Sequence, residues 1–525
     1  MNEFMLNPTR VDRPRSVFPL HFRAPTTMKV GEITPLMVKE VLPGDTWSFD
    51  LSSVVTAFSP FVTRVYGDLF LDVYAFFVPN RLVWDHWQQF CGENDTGAWT
   101  QTRTYQVPRG DYESTADTAI GSIGDHMGLP LGVSNSLSVN ELPLRGYYRI
   151  YNEWFRNENT DSAIPVTFGD DGQSNYFYES SLLTACRFAD YFSEGLPGPQ
   201  KGGAVSIPLV GNAPVVTANS IPATGDSLTH PLGRFDVPGF HVIASGYSTG
   251  GTSIPAGQAT DFVADLSNVT AATINQWRLA FQTQKYLELM ARGGSRYIES
   301  LKSLFGVTNG DARLQRTEYL GGKRIPLAFQ EVVATSSSAD NSDTQYALGQ
   351  QVVKSVTHDV SSICTKSFTE HGFLHVYGVI RAKHQYCQGL ERQWTRMDFL
   401  DYYNPVFDSI GETPIYNREI YCDGSFLDAE VFAYQESWAD YRYDPDKVTG
   451  LLRPNVPKSL STFTFADNFT SVPTLNGLMH ETRSNVLRTF ALQDQPADFV
   501  CDFFFVGKKV RPMSVRSIPG LIDHH

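Results

Sequence analysis

Two histidines of this chain have the spacing of zinc ligands, but their surroundings argue against a metal site. His371 and His375 are four residues apart, as are the two histidines of a helical H-E-x-x-H zinc motif. The intervening and following residues, HGFLHVYGVI, predict a strand and not a helix. We therefore predict a packing or surface role for both histidines.

The acidic residues suggest two further kinds of site, both weakly. Asp440, Asp444 and Asp446 lie in SWADYRYDPDKVTG, which lacks the glycine turn and the spaced bidentate glutamate of a known calcium loop. Glu430 and Glu436 could serve a glycosidase only at a defined carboxyl separation, which a sequence does not fix. No metal ion is predicted from these acids.

The glycine-rich runs also lack the spacing of a nucleotide site. Gly293-Gly294, Gly321-Gly322-Lys323 and Gly195–Gly203 contain neither G-x-x-x-x-G-K-[ST] nor G-x-G-x-x-G. Turns and close backbone approach are the better interpretation of these runs. The sequence therefore predicts no catalytic residue, no cofactor and no metal site, and a protein that is not an enzyme.

The composition favours a β-rich structural protein. Aromatic residues make up 13% of the 525 residues and charged residues only 19%, with 41 Gly and 30 Pro, a pattern typical of strands joined by long ordered loops. The six cysteines form no C-x-x-C motif, so we expect reduced thiols. There is no apolar signal core and no run of membrane-spanning length, so we expect a soluble protein made in a reducing cytoplasm.

The elements that must position any site lie toward both ends of the chain. Apolar or alternating patterns predict strands at Thr46–Val54, Leu69–Val78, Phe373–Ile380, Ala429–Tyr434 and Phe499–Val506. The nearly continuous apolar ones are expected to bury at least one face, with burial of both faces favoured. Helices are predicted at Tyr147–Phe155 and Ile274–Ala291. A β core assembled from both chain ends is a property of Greek-key sandwiches, including the jelly roll.

One long segment stands apart from this core. Gly195–Thr273 contains only six charged residues, and Phe235, Phe240, Tyr247 and Phe262 are spaced along it. It is too apolar for a solvated linker and too often broken for a helix. We predict an ordered surface excursion of short strands, partly covered by neighbouring subunits, and name these four aromatic residues as candidates for host attachment or three-fold contact.

Both ends of the chain are basic, although the whole chain has a formal net charge of −14. The candidate contacts for nucleic acid are Arg10, Arg13, Arg15 and Arg23 at one end and Lys508, Lys509, Arg511 and Arg516 at the other. They could form a patch that contacts phosphate or a small basic packaging protein without reading sequence. The alternatives are two solvated tails, or arginines that pair with acids of neighbouring subunits.

Several blocks, in order along nearly the whole chain, resemble one protein family. They are VLPGDT (41–46), YRIYNEWFR (148–156), ARGGSRY (291–297), LQRTEYLGG (314–322), YCQGLERQW (386–394), AYQESWADYRYDPDKVTG (433–450) and the C-terminal RPMSVRSIPGLIDHH. Together they are similar to the major capsid proteins of the gokushovirus group of small single-stranded DNA bacteriophages. Ser437 departs from the pattern, since the resemblance leads us to expect a charged residue there.

The resemblance implies a viral jelly-roll subunit, residues 1–525, with large loop and helix insertions. Such a subunit builds a small (T=1) icosahedral shell around circular single-stranded DNA. In similar proteins a long insertion forms a protrusion at the three-fold axes and is the presumed host-attachment element, and residues 195–273 lie where it would. The implied partners are further copies of the chain, the packaged single-stranded DNA and a host surface receptor. The net negative charge of the chain implies a further partner, a small basic DNA-packaging protein. The expected location is the virion, assembled in the host bacterial cytoplasm.

Two other functions are alternatives to that of a shell subunit. A β-rich carbohydrate-active enzyme would fit the many tryptophans, tyrosines and acids, but a secretion signal is absent. A standalone host-binding adhesin would fit the apolar excursion, but no fibre or coiled-coil repeat is present. The aromatic-arginine group Asn152–Arg156 is expected at an interface, with base stacking as the alternative.

Overall fold

The computed structural model describes most of the chain, in ranges separated by gaps. These are residues 14–93, 105–112, 120–133, 137–172, 181–203, 205, 215–217, 233–237, 240–244, 262–264, 274–292, 299, 302–303, 306, 308, 310, 315–333, 351–408 and 410–516. The chain divides into two compact units, one formed by residues 1–199 with 290–525 and the other by Gln200–Leu289.

Eight antiparallel strands form the core of the first unit. They are β1 Ser16–Met28, β2 Thr34–Val41, β3 Thr46–Ala57, β4 Leu69–Pro79, β5 Glu318–Pro326, β6 Gln351–Ser367, β7 Gly372–Ala382 and β8 Phe499–Arg511. One sheet has the order β1-β8-β3-β6, extended at its β6 edge by Phe329–Val333, and the other has the order β5-β4-β7-β2. Two four-stranded sheets connected in this way are a jelly roll, so the predicted fold class is confirmed.

The first sheet buries one face, as its alternating sequence predicts. Trp47, Phe49 and Leu51 of β3 are buried, while Ser48 and Asp50 between them lie on the opposite face because side chains alternate along a strand. In β8, Phe499 is fully buried and Val500 is 45% exposed. Phe499–Val506 therefore buries one face, the minimum that its pattern predicts, and the favoured prediction of burial on both faces is wrong, because no layer of the described chain covers the outer face of β8.

The second sheet is covered on both faces, as predicted for Leu69–Val78 and Phe373–Ile380. Every residue of β7 is buried. The helix Leu142–Ile150, which continues as one π-helical turn over Tyr151–Phe155, packs on the face away from the first sheet. The helix approaches closely at Gly146, where an added Cβ would lie 2.8 Å from His375 Nε2. This element confirms the predicted helix at Tyr147–Phe155.

The remaining described elements of this unit are short. Helices span Trp87–Phe90, Ile123–Met127, Asn417–Ile420, Leu475–Met479 and Arg483–Leu487, and paired strands are Arg109–Tyr112 with Leu137–Asn140 and Glu412–Tyr416 with Val431–Glu436. The strand predicted at Ala429–Tyr434 thus begins at Val431, after the 3₁₀ turn Phe426–Ala429. Other 3₁₀ turns are Asn80–Leu82, Arg392–Thr395, Phe399–Asp401, Pro405–Phe407, Ala439–Tyr441, Gly450–Leu452 and Ser461–Phe463.

The second unit contains short strands and most of one helix. Val215–Thr217 pairs with Phe262–Ala264, and Gly233–Val237 pairs with Phe240–Ala244. The helix Ile274–Arg292 begins in this unit and exposes Trp277, Leu279 and Phe281. The second unit begins at Gln200, five residues after the predicted start of the excursion, and runs past Thr273 into this helix.

Candidate functional site

The jelly roll brings the two basic ends of the chain side by side. β1 and β8 pair along thirteen residues, from Ser16 opposite Arg511 to Met28 opposite Phe499. Arg15 directly precedes β1, and the guanidinium of Arg15 would lie 3.3 Å from a Cβ added at Gly44. The predicted proximity of the two basic segments therefore has a structural cause, since they occupy adjacent strands at one end of the sandwich.

Arg511 is held by a buried carboxylate and is not a freely available cation. Its Nε lies 3.1 Å from Asp45 Oδ2, with the two side chains 18% and 0% exposed, and its Nη2 donates to the Glu40 carbonyl at 2.9 Å. Asp45 also accepts hydrogen bonds from Leu42 N and Trp47 Nε1, each at 3.1 Å. Arg511 thus neutralises a buried charge at the end of the sandwich.

Two lysines lie beside this arginine over aromatic rings. Lys509 Nζ lies 5.5 Å from the centre of the Trp47 ring, and Lys39 Nζ lies 5.3 Å from that of Phe22. Partial burial lowers the pKa of Lys509, and the like charges of Arg511 and Lys39 lower it further against the opposing effect of Asp45. Because the cations outnumber their carboxylate partners here, an anion bound beside Lys509 would be stabilised.

The other predicted basic residues are spread around this cluster. Lys508 alternates with Lys509 and is exposed on the outer face of the sheet, and Arg516 is exposed beyond the end of β8. Arg23 lies 3.5 Å from Asp502 and 5.3 Å from the ring centre of Phe504, so it forms an exposed intrachain ion pair. Arg10 and Arg13 lie outside the described residues. We call Arg15, Lys39, Lys508, Lys509 and Arg511 the basic end.

A row of hydroxyl groups continues from the basic end along the same sheet. Thr46 and Ser367 hydroxyls lie 2.8 Å apart, and those of Ser48 and Thr365 lie 2.9 Å apart. They belong to the outer face of β3 and β6, because Trp47 and Phe49 point into the core. Sequence reasoning missed this row, although the alternating serines of β3 signal a polar face.

A second exposed surface is apolar and firmly anchored. The most exposed apolar side chains of the segment Arg392–Gly411 are Met397 (84%), Val406 (82%) and Phe399 (77%). Its backbone is fixed by its own acids, since Asp401 accepts hydrogen bonds from the backbone of Met397 and Asp398 at 2.8 and 2.9 Å. We call this segment the apolar arm. Its exposure could not be predicted, because its aromatic residues look like core residues in sequence.

Contacts at the base of the apolar arm tie it to the block around Ser437. Arg396 forms an ion pair with Asp440, and Trp438 Nε1 donates to the Phe407 carbonyl at 3.0 Å. Ser437, at the position where a charged residue was expected, is 4% exposed and donates to the Asp408 carbonyl at 3.3 Å. A small hydroxyl thus occupies a buried site beneath the arm.

The aromatic-arginine group at Asn152–Arg156 is engaged within the chain. Trp154 Nε1 donates to Thr317 Oγ1 at 2.8 Å, and Arg316 lies 3.7 Å above the Trp154 ring. Glu153 accepts from Thr317 N at 2.9 Å, and Phe155 is 8% exposed. The group packs the turn before β5 onto the helix, and its predicted place at a subunit interface stays a prediction.

Four of the residues considered for metal binding or catalysis have structural partners. They are His375, Asp440, Asp446 and Glu436. His375 is fully buried, where burial lowers its pKa to about 3, and Tyr377 Oη lies 2.9 Å from its Nδ1. Asp440 is paired with Arg396, and Asp446 with Lys383 at 2.9 Å. Glu436 pairs with Arg442 at 2.7 Å. Each of these four groups thus has a structural partner.

For the four predicted attachment residues, the structure gives at most the strand in which each one lies. Phe235, Phe240 and Phe262 lie in the short strands of the second unit, and Tyr247 lies outside the described residues. Their predicted role stays untested. Among the described residues, no helix is both long and apolar enough to cross a membrane.

Comparison with known proteins identifies relatives along nearly the whole chain. A family model described as "Capsid protein (F protein)" matches residues 8–521. Capsid protein VP1 of Bdellovibrio phage phiMH2K is 37% identical, covering 97% of this chain and 96% of the relative. Capsid protein VP1 of Chlamydia phage 1 is 36% identical over 99% of this chain and 98% of the relative, and that of Spiroplasma virus 4 is 35% identical over 97% and 95%.

Proposed function

This chain belongs to the capsid protein (F protein) family and is a structural, non-enzymatic subunit of a bacteriophage virion, and we propose that three parts of its surface perform three different tasks. The basic end faces the packaged genome, the apolar arm contacts another copy of the chain, and residues 195–273 reach the host. The gokushovirus resemblance in the sequence is confirmed by the relatives, and the family membership supports self-assembly into a shell.

The genome-facing role of the basic end is carried by one observation. The pKa of Lys509 is lowered although Asp45 lies nearby, because partial burial and the charges of Arg511 and Lys39 outweigh that carboxylate. Lys39, Lys509 and Arg511 thus lie around the Asp45 carboxylate as a local excess of positive charge, although the whole chain has a net charge of −14. A DNA phosphate is the anion that a capsid interior supplies, and phosphate contact needs no sequence readout.

The remaining phosphate charge requires further cations, since one small cluster per subunit cannot neutralise a packaged genome. A small basic DNA-packaging protein would supply them. Such a protein would bind DNA and the acidic parts of this chain. Of the two contacts predicted for the basic residues, phosphate is therefore favoured over the packaging protein, because like charges repel. Assembly in the reducing cytoplasm of the host bacterium is supported by the free state of all six cysteines.

The test replaces three lysines of the basic end, Lys39→Gln, Lys508→Gln and Lys509→Gln, and leaves Arg511 to its buried partner. Particles should assemble but hold less DNA per shell than the parent. The matched control carries Lys323→Gln, Lys383→Gln and Lys447→Gln, the same charge change at lysines that pair with Asp359, Asp446 and Glu391. Its DNA content should stay near that of the parent.

The outcomes separate the genome-facing role from its alternative. Equal DNA content in the test variant and the control contradicts a genome-facing basic end. Failure of the test variant to form shells, with normal shells from the control, indicates lysines that pair with acids of neighbouring subunits. A second variant that neutralises Arg10, Arg13, Arg15 and Arg23 tests the N-terminal part of the patch in the same way.

The proposed contact between copies rests on the exposure of the apolar arm. An exposed, ordered group of large apolar side chains is unfavourable on a lone soluble chain and marks an interaction surface. The occupant we propose is a second copy of this chain, because a shell subunit must bury surface against its own copies and such contacts bury apolar groups at their centre.

A further inference from the structure

A cysteine, a histidine and an aspartate from three distant parts of the chain meet beside the helix that covers the second sheet. Their ligand atoms, one each from Asp161, Cys186 and His480, lie within 4.8 Å of one another. We propose that these three side chains bind a zinc ion. The sequence predicts no metal site here, because the ligands have no local spacing motif.

The backbone presents two of the three ligands on the same face. Cys186 and His480 are opposite each other in an antiparallel bridge. Flanking hydrogen bonds run from Arg187 N to the Met479 carbonyl at 2.9 Å and from Glu481 N to the Ala185 carbonyl at 3.1 Å. Cys186 and His480 therefore form a non-hydrogen-bonded pair, the type in which the side chains lie closest together.

The third ligand is fixed by the turn that follows the π-helical turn. Asp161 N donates to the Asn157 carbonyl at 2.8 Å, and Arg156 Nη1 donates to the Asp161 carbonyl at 2.7 Å. The carboxylate is 10% exposed and its Oδ1 lies 3.4 Å from His480 Nε2. The site is thus assembled from backbone that is held independently of the three side chains.

Two buried polar atoms of the group have no hydrogen-bond partner. They are Asp161 Oδ2 and His480 Nδ1. A buried polar atom without a partner costs about 1–3 kcal/mol, so two of them on adjacent side chains require an explanation. A cation ligated by Asp161 Oδ2 and His480 Nδ1 would satisfy both atoms.

The donor set selects the metal. Thiolate and imidazole are ligands preferred by zinc, whereas calcium and magnesium prefer oxygen alone. Zinc bonds of about 2.0–2.3 Å place the ligand atoms of a tetrahedral site roughly 3–4 Å apart, so the observed spacing needs only small side-chain rotations. Cys186 also borders a cavity of about 250 Å³ lined by Tyr74, Trp154 and Arg381, which leaves room for water as the fourth ligand.

The charges around the site are compatible with a divalent cation. The facing cation Arg381 is occupied by Asp72 at 2.6 Å. On binding, Zn²⁺ forms a bond to sulfur and the thiol proton is released to solvent, so the charges of the ion, the thiolate and the carboxylate cancel.

A nucleophilic role for the same three residues is disfavoured. A reactive cysteine is held as a thiolate beside a base, whereas the Cys186 thiol donates to the Phe155 carbonyl at 3.1 Å. A structural ion would instead tie the turn at Asp161 to the segments that carry Cys186 and His480.

The test measures metal in assembled particles of the full chain. Particles grown with zinc and washed free of loose ions should contain about one zinc ion per subunit by mass spectrometry. Cys186→Ser and His480→Gln should lose it. The matched control is Cys422→Ser. Cys422 is also close to a carboxylate, with its Sγ 3.3 Å from Asp428 Oδ2. It is exposed, however, and does not belong to the described group of three ligands.

Cobalt substitution in the unaltered chain keeps the proposal testable if the variants fail to assemble. Co²⁺ bound at this site should produce a thiolate-to-cobalt charge-transfer band. Fewer than about one zinc ion per ten subunits in the unaltered particles would overturn the proposal. So would cobalt binding without a thiolate band, or an equal loss of zinc from Cys422→Ser and Cys186→Ser.

Discussion

Asp45 near the start of the chain and Arg511 near its end form an ion pair with a 3.1 Å contact, and Asp45 is completely buried. Asp45 stands in the turn before β3, and Arg511 is the last residue of β8. The pair therefore closes the same end of the sandwich at which the basic residues gather. Lys509 and Trp47 pack beside this pair. Arg511 therefore contributes both to the stability of the fold and to the charge of the basic end.

Replacing Arg511 should destabilise the folded subunit. Arg511→Gln leaves the buried Asp45 carboxylate without its cation, and loss of one partner of a buried pair costs about 3 kcal/mol. Denaturant unfolding of unassembled subunits measures the free energy directly. Arg516→Gln is the control and should change it by less than about 0.5 kcal/mol, because Arg516 is exposed. Equal effects of the two substitutions would contradict a structural role for Arg511.

A buried charge network predicts loss of stability at alkaline pH. Burial alone would lower the pKa of His384, but Glu481 and Asp467, each 3.2 Å from a ring nitrogen, raise it to about 9 despite Arg187. Since the unfolded pKa is about 6.5, the stabilisation is complete below that pH and is lost as pH rises through 9. The loss should be on the order of 3 kcal/mol, measured by unfolding between pH 7 and 10.

The control for this alkaline loss is His384→Gln. That subunit should be less stable at pH 7 and should lack the component of the pH dependence that His384 contributes. Persistence of the same alkaline loss in the variant would assign it to other groups. The neighbours that face His384 remain in both proteins, so the comparison isolates the imidazole.

His375 should act in the opposite direction, at acid pH. Its pKa is lowered to about 3 by complete burial, so it folds as the neutral imidazole. Its stabilisation is complete above the unfolded pKa of about 6.5 and is lost as pH falls toward 3. His375→Phe should flatten the stability curve between pH 6 and 4. An unchanged acid slope would indicate that carboxylates such as those of the His384 network dominate.

The sequence predicts those parts of the fold that depend on local pattern. Trp47, Phe49 and Leu51 alternate with polar residues, so their strand and its buried face are predictable, and the run Phe373–Ile380 likewise indicates burial on both faces. The register of Ser16 opposite Arg511 is not predictable, because it joins residues nearly the full chain apart. The one-sided burial of Phe499–Val506 depends on which layer covers a strand, which its own apolar run does not encode.

The candidate sites depend even more on distant contacts. The basic residues at both ends could be named from their charge, but Asp45, which occupies Arg511, could not. His384 meets partners that lie 83 and 97 residues away. The exposed Phe399 and Val406 are chemically indistinguishable from core residues, so only their position in the structure reveals the apolar arm.

The apolar arm should be needed for assembly but not for folding. Phe399→Asp and Val406→Asp place charges on side chains that are 77% and 82% exposed, so the subunit should keep its unfolding free energy. If a second copy covers the arm, a buried charge there should reduce shell yield by roughly tenfold or more, because 1.4 kcal/mol corresponds to a factor of ten. Electron microscopy and sedimentation measure the yield.

The control for the arm is Leu492→Asp, which alters an apolar residue that is 59% exposed in another part of the chain. Normal shells from Phe399→Asp would refute the proposed contact. Equal loss of shells from Leu492→Asp would show that a charge at any exposed apolar position disturbs assembly. The result would then contradict a specific contact between copies at the apolar arm.

Replacing residues 195–273 should separate assembly from attachment. The second unit, Gln200–Leu289, forms its own compact body, so exchanging most of it for a short Gly/Ser linker should leave the jelly roll folded, since changes in surface-loop length cost little free energy. Shells should form, and their adsorption to host cells should fall sharply.

Alanine at Phe235, Phe240, Tyr247 and Phe262 is the finer variant, in which the excursion is kept. Shells that adsorb normally in both cases would refute the attachment role, whereas absence of shells from the linker variant alone would indicate contacts between copies through this segment.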